Sequence, residues 1–338
     1  MSEESFNYSD ERFADLQMLR YRLNDFDKLS LRQKCLVYCL AKATLFGRDI
    51  TFDQFGKYNL KIRKTLEAVF CWYEGNRDSK DFKALEVYLK RVWFSNGIYH
   101  HYGTEKFSPD FTEDFFREAV KSIDASKLPL EGTDVNGLLD EICPVIFNPD
   151  ILPKRVNKAD GVDLIKTSAC NYYSGVSQKE VEDYYASKKT SATEQPSWGL
   201  NSTLVKDSTG INEDVWKIGG KYGKAIEKIV YWLEKAEDFA ESEEQKNVIK
   251  LLIDYYMSGN LADFDKYSIA WVREHGDSID FINGFIEVYG DPLGLKGSWE
   301  GIVEYRDEEA TERAQTISRN AQWFEDHSPV NPKFRKPV

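Results

Sequence analysis

Amphipathic helical runs with capping signals recur along the sequence, and they constrain the fold more than any other feature. Ser30 and Gln33 form a capping box ahead of a run with one apolar face, and Gly47 stands where that helix is expected to end. Ser242 and Gln245 cap a later run in the same way. Apolar residues at helical spacing include Leu36, Leu40 and Ala43; Leu85, Tyr88, Leu89 and Val92; and Ile226, Ile229, Val230 and Leu233. These runs predict a mainly helical protein.

The middle of the chain has a different pattern. Short apolar or β-branched segments at Pro144–Phe147 and Asn201–Lys206 are bounded by turn-forming residues, which is typical of strands. Residues 308–325 return to a helical pattern, and two prolines and a basic stretch follow them. We therefore expect an α+β fold that is predominantly α-helical. The proline-containing end predicts a connector to a further part of a longer protein.

The charge balance restricts the kind of partner. The 338 residues include 45 Lys and Arg against 57 Asp and Glu, a formal net charge of −12. Binding to phosphate backbones or anionic lipids needs clustered positive charge, so we expect neither a nucleic acid nor a membrane as a partner. The N-terminus lacks the apolar region of a signal peptide. Five cysteines without a paired motif favour free thiols in a reducing compartment, and hence a cytoplasmic protein.

The histidines limit the metal chemistry. There are four, His100, His101, His275 and His327. A zincin helix needs two histidines four residues apart, and no pair here has that spacing. The adjacent pair is expected to diverge, as neighbouring side chains do on a helix or strand. Cys35 and Cys39 have helical spacing, but no second ligand pair accompanies them, and buried core thiols are the favoured interpretation.

The most informative stretch runs from Phe281 to Gly301. Read as a strand, it places Phe285, Glu287 and Tyr289 on one face and the aliphatic Ile286 and Val288 on the other, core-facing side. A carboxylate could pair with a cation there, and a phenol could donate a hydrogen bond to a carbonyl oxygen. The alternative is an ordinary amphipathic strand with a solvated polar face, and the pattern alone favours that alternative.

Several segments, in order along the chain, resemble the dipeptidyl peptidase III family of zinc exopeptidases, in particular its bacterial members. They are Asn96–Phe107 (NGIYHHYGTEKF), Val145–Asn157 (VIFNPDILPKRVN), Ile218–Trp232 and Trp271–Glu300, the last with its FIEVY and DP motifs. The resemblance implies two lobes flanking a cleft. The lower lobe combines helices with a small β-barrel-like core, and the upper lobe holds zinc through an HExxGH helix and a later glutamate. Neither zinc motif occurs in this sequence.

The chain therefore resembles the N-terminal half of such an enzyme. On that basis residues 1–140 are the helical part of the lower lobe. Residues 141–307 are its mixed part, with the β core and the substrate-facing strand. Residues 308–338 are the first upper-lobe helix and a truncated connector.

The resemblance also implies roles for single residues. Glu287 matches the acid that binds the free N-terminal ammonium of the peptide, and Tyr289 matches the tyrosine that hydrogen-bonds a substrate carbonyl near the scissile bond. Tyr102 matches an aromatic residue of the cleft. The zinc of the complete enzyme is not expected on this chain, which is predicted to be inactive alone. The implied partners are an oligopeptide substrate and the C-terminal catalytic half.

Two other functions remain open at this stage. The chain could be a non-catalytic helical interaction module that retains the lobe without the chemistry. It could also be an unrelated hydrolase that uses a cysteine and a histidine, although no spacing in the sequence supports this.

Overall fold

The computed structural model describes residues 6–189, 197–275 and 277–337, and these contain eleven α-helices and seven β-strands. The helices are α1 (Leu31–Phe55), α2 (Asn59–Trp72), α3 (Lys80–Ser95), α4 (Glu113–Lys121), α5 (Val135–Phe147), α6 (Gln178–Lys188), α7 (Gly223–Glu237), α8 (Glu243–Ser258), α9 (Leu261–Arg273), α10 (Glu308–Arg319) and α11 (Ala321–Asp326). The strands are β1 (Ser9–Phe13), β2 (Leu16–Leu19), β3 (Tyr173–Ser174), β4 (Ser202–Asp207), β5 (Gly210–Val215), β6 (Ile279–Glu287) and β7 (Ser298–Tyr305). None of the described helices is long and apolar enough to cross a membrane.

The capping signals are largely confirmed. Ser30 and Gln33 form the capping box at the start of α1, and the Ser242 side chain accepts a hydrogen bond from the Gln245 backbone at the start of α8. One expected strand is wrong, because Pro144–Phe147 is the last turn of α5. Burial of its apolar side chains in the core offsets the hydrogen bond that a proline removes from a helix.

Two apolar cores lie on the two sides of α1. One is built mainly from α2, α3, α4 and α5, and the other from α1, α7, α8 and the β6–β7 pair. Helix α1 contributes residues to both, with Phe52 in the first and Leu36, Leu40 and Ala43 in the second. The helical stripes expected from the sequence in α3 and α7 are buried, as predicted.

The β-structure consists of three small, separate sheets in the described residues. Strands β1 and β2 form an antiparallel pair. Strand β4 is parallel to β3 and antiparallel to β5. Strands β6 and β7 form a second antiparallel pair. The α+β, mainly helical class is confirmed. The expected barrel-like core is not a closed barrel in this part of the chain, because no hydrogen-bonded ladder joins one sheet to the next.

Helix α1 determines where β7 lies. Gly47 was expected to end this helix, but the helix continues for eight more residues and Gly47 is buried against the Trp299 ring. A Cβ at Gly47 would come within 2.1 Å of that ring. The buried Gln54 amide accepts from Trp299 N–H at 2.8 Å and donates to Gly297 C=O at 3.1 Å. One face of α1 thus fixes the beginning of β7.

The last two helices of the described chain are not packed into either apolar core. The helix expected over residues 308–325 is present as α10 and α11, which are separated at Asn320. Neither helix has a buried residue.

The contact between Gly47 and Trp299 can be tested by replacing the glycine. In an ordinary helix interior, alanine is more stabilising than glycine by about 1 kcal/mol. Here we expect Gly47→Ala to lower the free energy of unfolding by about 1–3 kcal/mol, because the new methyl group overlaps the indole ring. Urea unfolding measures this change.

Gly223→Ala, at the first position of α7, is the matched control. A Cβ there has its nearest neighbour, the Lys217 carbonyl oxygen, at an ordinary 3.4 Å, so little stability should be lost. A Gly47→Ala protein as stable as the wild type would contradict the packing described for β7.

Candidate functional site

A β-bulge in β6 decides which side chains leave the core. Phe285 pairs with Trp299 and Glu287 pairs with Ser298, so Ile286 is an extra residue with no partner on β7. Phe285 is fully buried against Trp216, with the two ring centroids 4.8 Å apart. In a regular strand, side chains two residues apart point to the same face. The extra residue interrupts this alternation, so Phe285 points into the core while Glu287 points to solvent.

Because of this bulge, the predicted assignment of side chains to the two faces of β6 is partly wrong. Phe285 was expected to share an outer face with Glu287 and Tyr289, whereas Ile286 and Val288 were expected in the core. The structure places Phe285 in the core and leaves Ile286 and Val288 only half-buried. The predicted neighbours Glu287 and Tyr289 both remain exposed.

Two carboxylates lie together at the bulge. Glu300 is on β7, opposite Gly284 and close to Glu287. Burial, and then the charge of Glu287, raises the pKa of the Glu300 carboxyl group. Neither carboxylate has a lysine, arginine or histidine within ion-pair distance among the described residues. The pair is a cluster of negative charge that the described chain does not neutralise.

Tyr289 follows the end of β6 and is 63% exposed. Desolvation, followed by the charges of Glu300 and Glu287, raises the pKa of its phenol, while the positive charge of Arg155 opposes the shift. The hydroxyl group therefore keeps its proton at neutral pH. It is a hydrogen-bond donor that is influenced by the negative charges of Glu300 and Glu287 and by the positive charge of Arg155.

Three cavities adjoin one another around these residues, and we refer to them together as the groove. The first, of about 230 Å³, contains Glu287 and Glu300 and has walls from α9 and β6. The second, of about 410 Å³, shares Glu300 with the first and includes Tyr289 and Arg155. The third, of about 550 Å³, shares Tyr289 and Arg155 with the second and includes Tyr102. A further cavity of about 450 Å³, at the opposite end of the β6–β7 pair, contains none of these residues.

The first cavity combines this charge with an apolar wall. The apolar and aromatic side chains that line it are Phe264, Tyr267, Trp271, Val272, Ile282 and Ile286. An apolar surface beside two carboxylates suits a ligand that carries a cation next to a hydrophobic group.

The three residues singled out from the sequence thus lie along one groove. Glu287 borders its first cavity, Tyr289 borders the second and third, and Tyr102 borders the third. Tyr102 is 86% exposed, in a turn beside His101, whose ring centroid is 4.5 Å from its own.

The adjacent histidines do not diverge as expected. Their rings stack with centroids 4.4 Å apart, because the residues lie outside any regular helix or strand. Nδ1 of His100 accepts the backbone N–H groups of Tyr102 and Gly103, at 3.2 and 3.0 Å, and so supports the turn. In residues 6–189, 197–275 and 277–337, no three His, Cys, Asp or Glu side chains are grouped so that they could hold a metal ion. The part of the chain that is described does not fit a zinc site.

Glu300 and Arg155, which line the groove, were not predicted as site residues. The pairing register of a hairpin would have placed Glu300 beside the bulge, but the sequence does not reveal the bulge itself. Arg155 lies in an irregular segment after a proline, and no local pattern connects it with Tyr289.

Comparison with known proteins gives the family. The family model for peptidase family M49 matches residues 156–338, more than half of the chain. Dipeptidyl peptidase 3 from Dictyostelium discoideum is 22% identical over 344 residues, which cover 94% of this chain and 48% of that protein. Dipeptidyl peptidase 3 from Homo sapiens is 22% identical over 358 residues, covering 92% and 46%.

Two solved structures share the fold. DPP III from Caldithrix abyssi aligns with a TM-score of 0.60 at 16% identity, over 92% of this chain and 47% of that one. Dipeptidyl-peptidase III from Corallococcus sp. strain EGB gives a TM-score of 0.56 at 16% identity, over 94% and 47%. The chain belongs to peptidase family M49, which confirms the resemblance seen in its sequence. It spans about half the length of the curated relatives that it matches.

The interaction between the two carboxylates has a measurable consequence. We expect the pKa of Glu300 to lie above the ordinary glutamate range, and Glu287→Gln to lower it, because the substitution removes the neighbouring negative charge. An NMR titration of the glutamate carboxyl carbons measures both values. Glu304→Gln, farther along β7, is the control and should leave the pKa of Glu300 unchanged. An equal pKa of Glu300 in the wild type and Glu287→Gln would show that the two groups do not interact.

Proposed function

We propose that this chain is the substrate-binding N-terminal half of a dipeptidyl peptidase III-like zinc exopeptidase, which releases dipeptides from the N-termini of oligopeptides. Three findings support this proposal: the chain belongs to the family, its relatives are named as dipeptidyl peptidases, and it covers about half the length of those relatives. The complementary partner is then a C-terminal half that carries the catalytic zinc, and a cytoplasmic location is part of the same proposal.

The division of the chain follows from this function. Residues 1–140 and 141–307 would form the lower lobe, and residues 308–338 would begin the upper lobe and the connector. The lack of buried residues in α10 and α11 supports a separate role for that last segment.

The observation that carries the proposal is the unneutralised pair Glu287 and Glu300 at the apolar first cavity of the groove. A carboxylate that accepts charge-assisted hydrogen bonds from an ammonium group forms one of the stronger polar contacts available to a protein. An exopeptidase needs such a group, because a free amino terminus is what distinguishes its substrates from internal peptide segments. Glu287 is the proposed anchor, and Glu300 adds negative charge beside it.

Tyr289 is the proposed contact to the peptide backbone. It follows Glu287 by two residues, and its protonated phenol can donate a hydrogen bond to a carbonyl oxygen of a bound peptide. In the complete enzyme such a donor would stabilise the negative charge that develops on that oxygen. Tyr102, which lines the third cavity, would contact later residues of an extended peptide.

Zinc belongs to the complementary half in this proposal. The described residues do not fit the metal, and the sequence has no HExxGH motif, so the chemistry assigned to this chain stops at binding and orienting the peptide. The chain would position the amino end and a backbone carbonyl, and the other half would supply the hydrolytic step.

Replacing the proposed anchor tests the first step. We expect Glu287→Gln to weaken the binding of trialanine to this chain about tenfold or more, since a hydrogen bond to a charged group contributes roughly 1.5–3 kcal/mol. N-acetyl-trialanine, which lacks the ammonium group, should bind weakly to both proteins. Isothermal titration calorimetry measures the affinities, and Glu304→Gln is the matched control with the same loss of charge. If trialanine bound the wild type and the Glu287→Gln variant equally well, the anchor role would be rejected.

An activity assay tests the division of labour. We expect the chain alone to release no product from a dipeptidyl-arylamide substrate, with or without added zinc, because none of its described residues form a metal site. Turnover together with stoichiometric bound zinc would contradict the proposal.

The alternative of a non-catalytic interaction module makes a different prediction. It requires no preference for peptides with a free amino terminus, so the calorimetric comparison distinguishes the two functions.

A further inference from the structure

Arg155 carries a buried positive charge for which the described chain supplies no negative partner. The residue is 5% exposed, and its guanidinium lies over the Phe55 ring, 4.1 Å from the centroid. Its Nε has no hydrogen-bond partner, and one terminal nitrogen donates to the His101 carbonyl oxygen at 3.4 Å. No carboxylate among the described residues lies within 4.0 Å of the guanidinium. Buried charges are normally paired, so this arrangement requires an explanation.

A second buried arginine, Arg63, has the carboxylate partners that Arg155 lacks. Arg63 is 4% exposed and lies over the Phe52 ring, 4.5 Å from the centroid. Its Nη1 lies 2.9 Å from an Asp49 carboxylate oxygen, and its Nε lies 3.3 Å from a Glu67 carboxylate oxygen. The two arginines therefore have similar burial and similar aromatic contacts with α1, but only Arg63 is neutralised by the chain.

The position of Arg155 indicates where its missing partner would come from. It lines both the second and the third cavity of the groove, and Tyr289 and His101 line the same two cavities. Burial lowers the pKa of Arg155, while the phenols of Tyr172 and Tyr289 and the thiol of Cys170 oppose that shift. The positive charge is thus held at the wall of an open space, close enough to Tyr289 to influence it.

We propose that Arg155 is an anion subsite that binds a carboxylate of the peptide in the groove. Tyr289 then lies between a cation subsite at Glu287 and Glu300 and an anion subsite at Arg155. This inference deepens the proposed function, on which it rests, because it names a second charged group of the substrate. It predicts that the groove favours peptides with a carboxylate at a fixed distance from the amino terminus, supplied either by the end of a short peptide or by an acidic side chain.

The test measures a ratio of affinities. Calorimetry with the full chain compares alanine peptides of two to five residues as free acids and as C-terminal amides. We expect the free acid to bind about tenfold tighter at the favoured length, the effect of one charged hydrogen-bonded contact. Arg155→Gln should reduce this ratio to about one, and Arg155→Lys should retain part of it. Ala-Ala-Glu amide shows whether a side-chain carboxylate can replace the terminal one.

Two comparisons separate this inference from the proposed function. Glu287→Gln should weaken the binding of the free-acid peptide and of the amide peptide by the same factor, so the ratio of their affinities should not change. Loss of the amine anchor can therefore be distinguished from loss of the anion subsite. Lys179→Gln, which removes a charge on the exposed face of α6, should change neither affinity.

Thermal unfolding provides a readout without any peptide. Arg63→Gln removes the ion pairs with Asp49 and Glu67 and should lower the Tm by several degrees. Arg155→Gln removes an unpaired buried charge and should not lower it. A free-acid preference that survives in Arg155→Gln, or an Arg155→Gln protein as destabilised as Arg63→Gln, would overturn the proposal.

Discussion

The β-bulge in β6 is the constraint on which the candidate site depends. The extra residue between the two pairs allows Phe285 to enter the core and Glu287 to leave it within three residues. Without it, regular alternation would put both side chains on one face, and either a buried carboxylate or an exposed phenylalanine would follow. Helix α1 fixes the opposite strand through Gln54 and the space at Gly47, so the bulge is held against a rigid element rather than a loop. That rigidity is what a preorganised binding group requires.

Three charged groups of the groove lack an ion-pair partner among the described residues. Glu287 and Glu300 repel one another and have no cationic partner among the described residues, and Arg155 has no anionic one, although the chain pairs many other charged groups, including the equally buried Arg63. Burial disfavours the charged forms of Glu300 and Arg155 in the free protein, and a ligand of the opposite charge would neutralise each of them. Tyr289 lines one cavity together with Glu300 and Arg155 and is influenced by both kinds of charge. These charges support the proposal that the chain binds a peptide with separated positive and negative ends.

Much of the fold could be predicted from the sequence because its signals are local. Capping boxes and helical stripes depend on residues three or four apart, and most of these predictions were confirmed. The errors involve distant partners. Gly47 looked like a helix end, but it accommodates Trp299, which is far away in the sequence. Pro144 looked like a strand boundary, but core packing keeps it in a helix. Glu287 and Tyr289 could be placed on a polar surface from their spacing, whereas nothing local linked Arg155 to them.

Binding of a peptide's amino end by the Glu287 carboxylate can be observed in a crystal structure of the chain with tetra-alanine. We expect the peptide amino nitrogen to lie within about 3 Å of a Glu287 carboxylate oxygen, a normal hydrogen-bond distance, with the backbone leading toward the Tyr289 hydroxyl. A peptide bound with its amino end away from Glu287, or with its carboxyl end in the first cavity, would show that Glu287 is not the amine anchor.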